Sequence, residues 1–130
     1  MSVDRLAASL LLIATEDLAA VRLLAPTNNR NAVYLLEQAA EKIIRAVLTH
    51  SGTHAGISHH LDEMVDRIAD TNPLKPALRS IEHLGAYATS YRYPTSTGRV
   101  RTPPSTDELA ANIATVERVL RAVASQLGVT

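Results

Sequence analysis

The chain has 130 residues, of which 46% are hydrophobic, and its 13 basic and 13 acidic side chains give a formal net charge of zero. This composition predicts a single globular domain over residues 1–130. The zero net charge argues against tight, sequence-independent binding to long DNA, so any nucleic-acid role must rest on a local patch. The lack of cysteine excludes disulfides and thiol chemistry. No apolar run reaches the ~18 residues of a membrane span, and the N-terminus is unlike a secretory signal. We therefore expect a cytoplasmic protein without membrane association.

Apolar residues recur at helical spacing through the whole chain, and no segment reads as a strand. A first helix ends near Leu24, just before Pro26. A second helix is capped by Asn28 or Asn29 and ends at Gly52. The inward faces predicted for these two helices consist of Leu6, Leu10, Ile13, Leu18 and Val21 in the first, and Val33, Leu36, Ala40, Ile43, Val47 and Leu48 in the second.

Two further helices are predicted in the middle of the chain. Ser58 opens a short third helix. Asn72 and Pro73 are a cap and a first-turn proline, and they begin a long fourth helix that continues to Tyr91. Gly85 within this helix costs about 1 kcal/mol relative to alanine, so we expect a close helix approach there, within the chain or across a dimer. The inward residues are Leu61, Met64, Val65 and Ile68, and then Leu78, Ile81, Leu84, Ala88 and Tyr91.

The last helix follows a loop over residues 94–104 that is rich in Pro, Ser, Thr and Arg. Ser105 and Glu108 form a capping-box pattern at its start. Its apolar positions alternate in steps of four and three, which predicts antiparallel packing on neighbouring helices. The sequence therefore predicts an all-α, up-and-down bundle of four long helices plus one short helix. The apolar positions are Leu109, Ile113, Val116, Leu120, Val123 and Leu127.

Aromatic and cationic residues concentrate at the end of the predicted fourth helix. The protein has no Phe, no Trp and only four Tyr, and three of those Tyr lie in this region beside an Arg and a Pro. Tyrosine rings stack on bases, and guanidinium groups hold phosphate in bidentate geometry. We expect the ligand-binding residues to be Tyr87, Tyr91, Arg92, Tyr93, Arg99 and Arg101.

Two structural explanations compete with this interpretation. Two of the tyrosines could cap a core that is short of large side chains. Asp17 lies near the apolar face of the first helix, and a buried carboxylate must be paired to be tolerated. Arg92 is one candidate for that pairing, which would make it structural.

Four segments together resemble a HEPN domain, the higher eukaryotes and prokaryotes nucleotide-binding domain. The resemblance covers most of the chain, from the first helix to the Arg92-Tyr93-Pro94 tripeptide. The segments are Asp17-Leu18, residues 31–42 (NAVYLLEQAAEK), one of His59 and His60 followed by Leu61, and Tyr87 followed by Tyr91-Arg92-Tyr93-Pro94.

This resemblance implies an all-α bundle that usually dimerises. Small prokaryotic members are often paired with a minimal nucleotidyltransferase in a toxin–antitoxin-like system. We therefore expect a homodimeric protein that binds nucleotide or RNA and acts with such a partner, and nothing in the sequence calls for a cofactor. The alternatives are a metal-independent ribonuclease and a purely structural helical interaction protein.

Some members of this family are ribonucleases that use an Arg-x(4–6)-His motif. The motif is expected near Arg92, but no histidine follows that residue. Arg79 and His83 have only three residues between them, whereas Arg45 and His50 have the required spacing but lie on the second helix. These four side chains are the candidate catalytic residues.

Charge patterns leave each candidate with a structural alternative. Glu37, Glu41 and Arg45 form an i,i+4 ladder, which favours a solvated ion-pair role for Arg45. Arg79, His83, Tyr87 and Ser90 share one side of the fourth helix, where they line either a groove or the wet face.

The five histidines do not form a metal-binding pattern. His50 and His54 are four residues apart, but Gly52 interrupts the helix between them. His59 and His60 are adjacent and point to different sides, and we expect one of them to cap the third helix. No metal site is predicted.

Overall fold

The computed structural model describes residues 3–54, 56 and 60–129, and the chain is all-helical with no strand over these residues. The predicted all-α bundle class is confirmed. The helices are α1 (Val3–Leu24), α2 (Asn31–His50), α3 (Leu61–Asp66), α4 (Lys75–Arg79), α5 (Tyr87–Ser90) and α6 (Thr106–Leu127). A 3₁₀ turn over Glu82–Ala86 joins the short α4 to the short α5.

Helix α2 is the centre of the bundle. It packs against α1, α3, α5, α6 and the 3₁₀ turn. All six inward positions predicted for it are buried, which confirms that part of the sequence analysis. The remaining core comes mainly from aliphatic side chains of the other elements, including Leu61, Leu78, Ile81 and Leu84. Because so many elements meet on α2, its position fixes theirs.

The inward face of α1 differs from the prediction. The predicted Leu6 and Ile13 are 45% and 43% exposed, and alanines at positions 7 and 14 take the contact face instead. Small side chains allow a closer approach between helix axes, so α1 packs on α2 through this narrower face. Leu6 and Ile13 are left on the flank of the helix. The buried residues of α1 are Ala7, Leu11, Ala14, Leu18 and Val21.

The predicted fourth helix is not continuous. The α-helix ends at Arg79, and Ile81 has φ −115° and ψ −2°, outside helical geometry. Gly85, a poor helix former, lies in the 3₁₀ turn that follows. A Cβ atom at Gly85 would lie 3.3 Å from Leu61 Cγ, so the glycine allows this turn to approach α3. The close approach expected at Gly85 is therefore present within the chain.

The helix starts agree with the sequence to different degrees. Ser105 Oγ accepts a hydrogen bond from the Glu108 backbone N–H at 3.1 Å, which confirms the predicted cap of α6. The cap of α2 is Arg30 instead of Asn28 or Asn29, although Asn29 Oδ1 accepts from the Asn31 N–H at 2.9 Å. The predicted start of α3 at Ser58 lies outside the described residues.

We expect Ser105→Ala to lower the free energy of unfolding by about 1 kcal/mol, because the Glu108 N–H loses its acceptor at the helix start. The measurement is urea denaturation followed by circular dichroism. Ser96→Ala in the exposed part of the preceding loop is the matched control. Equal losses in the two variants would contradict the capping role.

Candidate functional site

Arg92 lies at the surface, two residues after the end of α5. Its guanidinium carbon is 4.3 Å from the centroid of the Tyr34 ring and 5.2 Å from that of Tyr93. Both distances are within the range of a cation–π interaction. Among the described residues no carboxylate forms an ion pair with Arg92. Its donors are therefore not committed to an acidic group of the bundle.

Asp17 has a different partner from the one considered in the sequence analysis. Lys42 Nζ donates to Asp17 Oδ2 at 2.7 Å, and both side chains are largely buried. The carboxylate on α1 is thus paired with α2. The explanation of Arg92 as the partner of Asp17 is wrong, because a nearer cation occupies that position.

A groove of about 330 Å³ runs between α2 and α5 beside Arg92. It contains two carboxylates that sequence reasoning placed in solvent, but Glu37 is fully buried and Glu41 is 7% exposed. Gln38 Nε2 donates to Glu37 Oε2 at 2.9 Å, and Arg45 Nε donates to Glu41 Oε2 at 3.4 Å. The prediction of a solvated ladder is wrong because neighbouring elements cover this side of α2. The groove is lined by Tyr34, Glu37, Gln38, Glu41, Ala88, Thr89 and Arg92.

A second cavity, of about 380 Å³, lies between Tyr91 and the loop that follows Arg92. Two hydrogen bonds between Thr95 and Arg99 hold its loop in shape: the Thr95 N–H donates to the Arg99 carbonyl at 2.8 Å, and the Arg99 N–H donates to the Thr95 side-chain Oγ1 at 3.0 Å. Arg30 Nη1 donates to the carbonyl of Arg101 at 3.0 Å and ties the loop to the start of α2. The cavity is lined by Tyr91, Thr95, Arg99, Val100, Arg101 and Thr102.

The tyrosines of this region divide into two groups. Tyr87 and Tyr91 pack on the core and contact each other edge to face, with centroids 5.5 Å apart and an interplanar angle of 70°. The core-capping explanation therefore holds for this pair, although Tyr91 also lines the second cavity. Burial, together with the hydrogen bond from Tyr87 to Glu108 at 3.2 Å, raises the pKa of Tyr87. Tyr93 is 62% exposed and leaves a ring face available.

The polar stripe predicted on the fourth helix is divided among separate partners. Arg79 bridges Asp66 at 2.6 Å and Glu82 at 2.7 Å, and hydrogen bonds to these carboxylates raise its pKa. His83 Nε2 lies 3.1 Å from Asn112 Oδ1 on α6. Ser90 Oγ donates to a backbone carbonyl one turn earlier. Arg79 and His83 therefore do not converge on a common groove.

The other candidate pair is also bonded to different elements. Arg45 Nη1 donates to the carbonyl of Gly56 at 3.3 Å, in addition to its contact with Glu41. His50 Nδ1 lies 2.9 Å from Asp4 Oδ1 at the start of α1. Arg45 and His50 therefore have separate partners, although their sequence spacing fits the motif.

The remaining histidines show no metal arrangement. No group of three or more His, Cys, Asp or Glu side chains in the described part of the chain is placed to hold a metal ion. His54 Nδ1 accepts from the Gly56 N–H at 2.9 Å. His60 occupies the N-cap position of α3, but its side chain forms no capping hydrogen bond, so the capping role is not found there. His59 lies outside the described residues.

Sequence reasoning missed several members of the site. Tyr34 stacks on Arg92, Gln38 and Thr89 line the groove, and Arg30 anchors the second cavity. Tyr34 could have been found from composition, since it is one of only four tyrosines in a chain without Phe or Trp. The others are brought in by tertiary packing, which local patterns do not encode.

Comparison with known families gives one result. The family model described as the HEPN domain matches residues 7–126, nearly the whole chain. No curated protein and no solved structure matches. None of the helices over the described ranges has the length and apolar character needed to cross a bilayer.

We expect Arg92→Ala to lower the free energy of unfolding by less than about 1 kcal/mol, because it removes only a surface cation–π contact. Lys42→Ala is the comparison, since it leaves the largely buried Asp17 without its cation and should cost more. Urea denaturation of both variants checks the order. A larger loss for Arg92→Ala would show that this arginine is structural.

Proposed function

The chain belongs to the HEPN family, and from that premise we propose that it binds a nucleotide or a single strand of RNA at one surface. This arginine surface consists of Arg92, Tyr93, Arg99 and Arg101, with Tyr87 and Tyr91 packed beneath it. The family match supports binding of nucleotide or RNA, or cleavage of RNA. The observation that carries the proposal is the exposed Arg92, which stacks on two aromatic rings and forms no ion pair with a carboxylate in the described part of the chain.

Arg92 is prepared for phosphate by its stacking. A guanidinium group whose face lies on a ring retains N–H donors along its edge, and this edge matches two phosphate oxygens. The contacts with Tyr34 and Tyr93 restrict the side chain before a ligand arrives. Restriction in advance reduces the entropy lost on binding.

Arg99 and Arg101 add a second point of attachment. They line one cavity with the side chains of Thr95 and Thr102, so charge and hydroxyl groups meet in the same place. The Thr95–Arg99 hydrogen bonds and the Arg30 anchor hold the backbone from which both arginines project. Phosphate groups outside the reach of Arg92 would bind here.

Tyr93 supplies the surface for a base. It is the most exposed ring of the four tyrosines and lies beside Arg92. Base–aromatic stacking contributes about 1–3 kcal/mol per base and tolerates any sequence, because every base has a π face. A ligand held by phosphate at the arginines and by a base at Tyr93 explains why these residue types occur together.

We expect fluorescence anisotropy to detect binding of a short single-stranded RNA, with a salt dependence that reflects the arginine contacts. Each of Arg92→Ala, Arg99→Ala and Arg101→Ala should weaken binding and reduce the slope of log K against log salt by about 0.7, the value for one phosphate contact on a single strand. Tyr93→Ala should weaken binding with the slope unchanged. Arg118→Ala, on exposed α6, is the matched control. Equal effects of all four arginine variants would contradict the proposed surface.

The proposal extends to assembly and partner. In a homodimer, the flank of α1 that carries Leu6 and Ile13 would be covered, and Leu12 and Leu23 are also exposed, at 61% and 78%. We further propose that the protein works in the cytoplasm with a minimal nucleotidyltransferase in a toxin–antitoxin-like pair. Family membership supports this partner, since small members are often paired with such an enzyme, and the apolar side chains on α1 offer surface for the contact.

We expect light scattering to give a mass of twice 14.0 kDa and a tagged copy to retain a nucleotidyltransferase encoded beside it. Ile13→Glu should convert the dimer to a monomer because it places a charge on the apolar flank. Ser96→Glu, a similar change on the loop, should leave the mass unchanged. A monomeric wild type would contradict the homodimer, and failure to retain the nucleotidyltransferase would contradict the partner.

A further inference from the structure

The groove between α2 and α5 contains an amide side chain that the arginine surface does not use. Gln38 lines this groove from α2 together with Glu37 and Glu41, and Arg92 lines it from the segment after α5. We propose that the groove binds an adenine base, which Gln38 recognises by two hydrogen bonds. The inference rests on the proposed function, because Arg92 would hold the phosphate beside that base, and it names the base that the surface prefers.

The hydrogen bond to Glu37 fixes which way the Gln38 amide faces. Gln38 Nε2 donates to Glu37 Oε2 at 2.9 Å, so the amino side of the amide is turned towards the carboxylate. A flipped amide would place two accepting oxygens against each other, which the hydrogen-bond network excludes. Glu37 is fully buried, so packing holds its carboxylate in place. Glu37 is thus a positioning residue for Gln38.

One donor and one acceptor of this amide are left for a ligand. In the part of the chain that the structure describes, the Gln38 side chain forms no hydrogen bond besides the one to Glu37. The second hydrogen of Nε2 and the lone pairs of Oε1 are therefore available side by side, and the residue is partly exposed. Glutamine recognises adenine with this pair of groups: Oε1 accepts from the N6 amino group, and Nε2 donates to the adjacent ring nitrogen.

The same amide disfavours the other bases. Guanine and hypoxanthine carry a carbonyl oxygen where adenine carries the N6 amino group, so two acceptors would meet at Gln38 Oε1. The bond to Glu37 prevents the amide from turning over to suit them. Cytosine offers an amino group beside a ring nitrogen, but its smaller ring buries less apolar surface against Tyr34 and Ala88, which also line the groove. Adenine is therefore the base that fits.

Arg92 connects the groove to the arginine surface. Its guanidinium group stacks on Tyr34, and both residues line the groove. The ring of Tyr93 lies on Arg92 as well but is not part of the groove lining. A phosphate on the edge of Arg92 therefore has one place for a base in the groove and another on Tyr93. A single strand of RNA can fill both, with adenine at Gln38 and any neighbouring base on Tyr93.

The experiment measures fluorescence anisotropy of the full chain with oligouridine strands that differ at one central position. That position carries adenosine, inosine, guanosine or cytidine. We expect the adenosine strand to bind about 5–150-fold more tightly than the inosine and guanosine strands, which is the discrimination of one bidentate base contact. The cytidine strand should bind with an affinity between these. Equal affinity for adenosine and inosine overturns the proposal, and so does tighter binding of the cytidine strand.

Gln38→Leu keeps the bulk of the side chain and removes both hydrogen bonds to the base. It should bring the ratio of adenosine to inosine affinity to about one, with little change in affinity for plain oligouridine, because the contact that distinguishes the bases is gone. Gln126→Leu, the same substitution at the exposed end of α6, is the matched control and should keep the wild-type ratio. A preference for adenosine that persists in Gln38→Leu overturns the role of this residue.

Glu37→Gln separates positioning from folding. An amide at this position presents either an oxygen or an amino group to Gln38, so the Gln38 amide is no longer held in one orientation. The inosine strand should then gain affinity, which a purely structural role of Glu37 does not produce. Thermal melting identifies variants that are unfolded at the assay temperature. If Gln38→Leu is among them, the gain in inosine binding decides, and its absence overturns the proposal.

The two proposals fail separately. Strands that all bind equally, and that are weakened by the arginine substitutions, overturn adenine recognition and leave the arginine surface intact. A preference for adenosine that is lost in Gln38→Leu, combined with RNA affinity that Arg92→Ala does not change, supports adenine recognition and contradicts the arginine surface. Absence of binding to every strand contradicts both.

Discussion

The enclosure of α2 is the constraint on which the rest of this protein depends. A helix covered on nearly all sides must bury any charge it carries, and such charges are tolerated only when hydrogen-bonded. Glu37 Oε2 accepts a hydrogen bond from Gln38, and Glu41 Oε2 accepts one from Arg45. Tyr34 on the same helix then provides the ring on which Arg92 rests. The scaffold and the candidate ligand surface therefore share one element.

The interruption of the predicted fourth helix separates the polar residues along it. An unbroken helix from Leu74 to Tyr91 would have placed its polar residues on one stripe. The change to a 3₁₀ turn and a separate α5 instead distributes them among α3, α6 and the groove on α2. Gly85 makes this possible, since the backbone can approach Leu61 where a side chain would be tight. Arg92 follows α5 and lies at the surface.

Sequence patterns predicted the features that depend on local chemistry. The buried face of α2 follows from strong aliphatic periodicity, and the Ser105 cap follows from a pairing three residues apart. The face of α1 was misplaced because alanines carry little hydrophobic signal, although they decide how closely two helices approach. The burial of Glu37 and Glu41 was missed because an i,i+4 charge ladder looks the same on an exposed helix as on an enclosed one.

The candidate site was predictable in part for the same reason. An aromatic and cationic cluster stands out in a chain this poor in aromatic residues, so composition and position led to the prediction of Arg92, Tyr93, Arg99 and Arg101 as ligand-binding residues. Tyr34, Thr89 and Arg30 were not predicted, because only folding brings distant segments together.

The contact between Arg30 and the loop has a consequence for how this surface could change over time. Arg30 bonds to the carbonyl of Arg101, a group that every amino acid possesses at that point. This hydrogen bond therefore does not depend on the side chain at position 101. Substitutions at position 101 can alter what the protein recognises while the loop keeps its path, so ligand preference is free to diverge without a new scaffold.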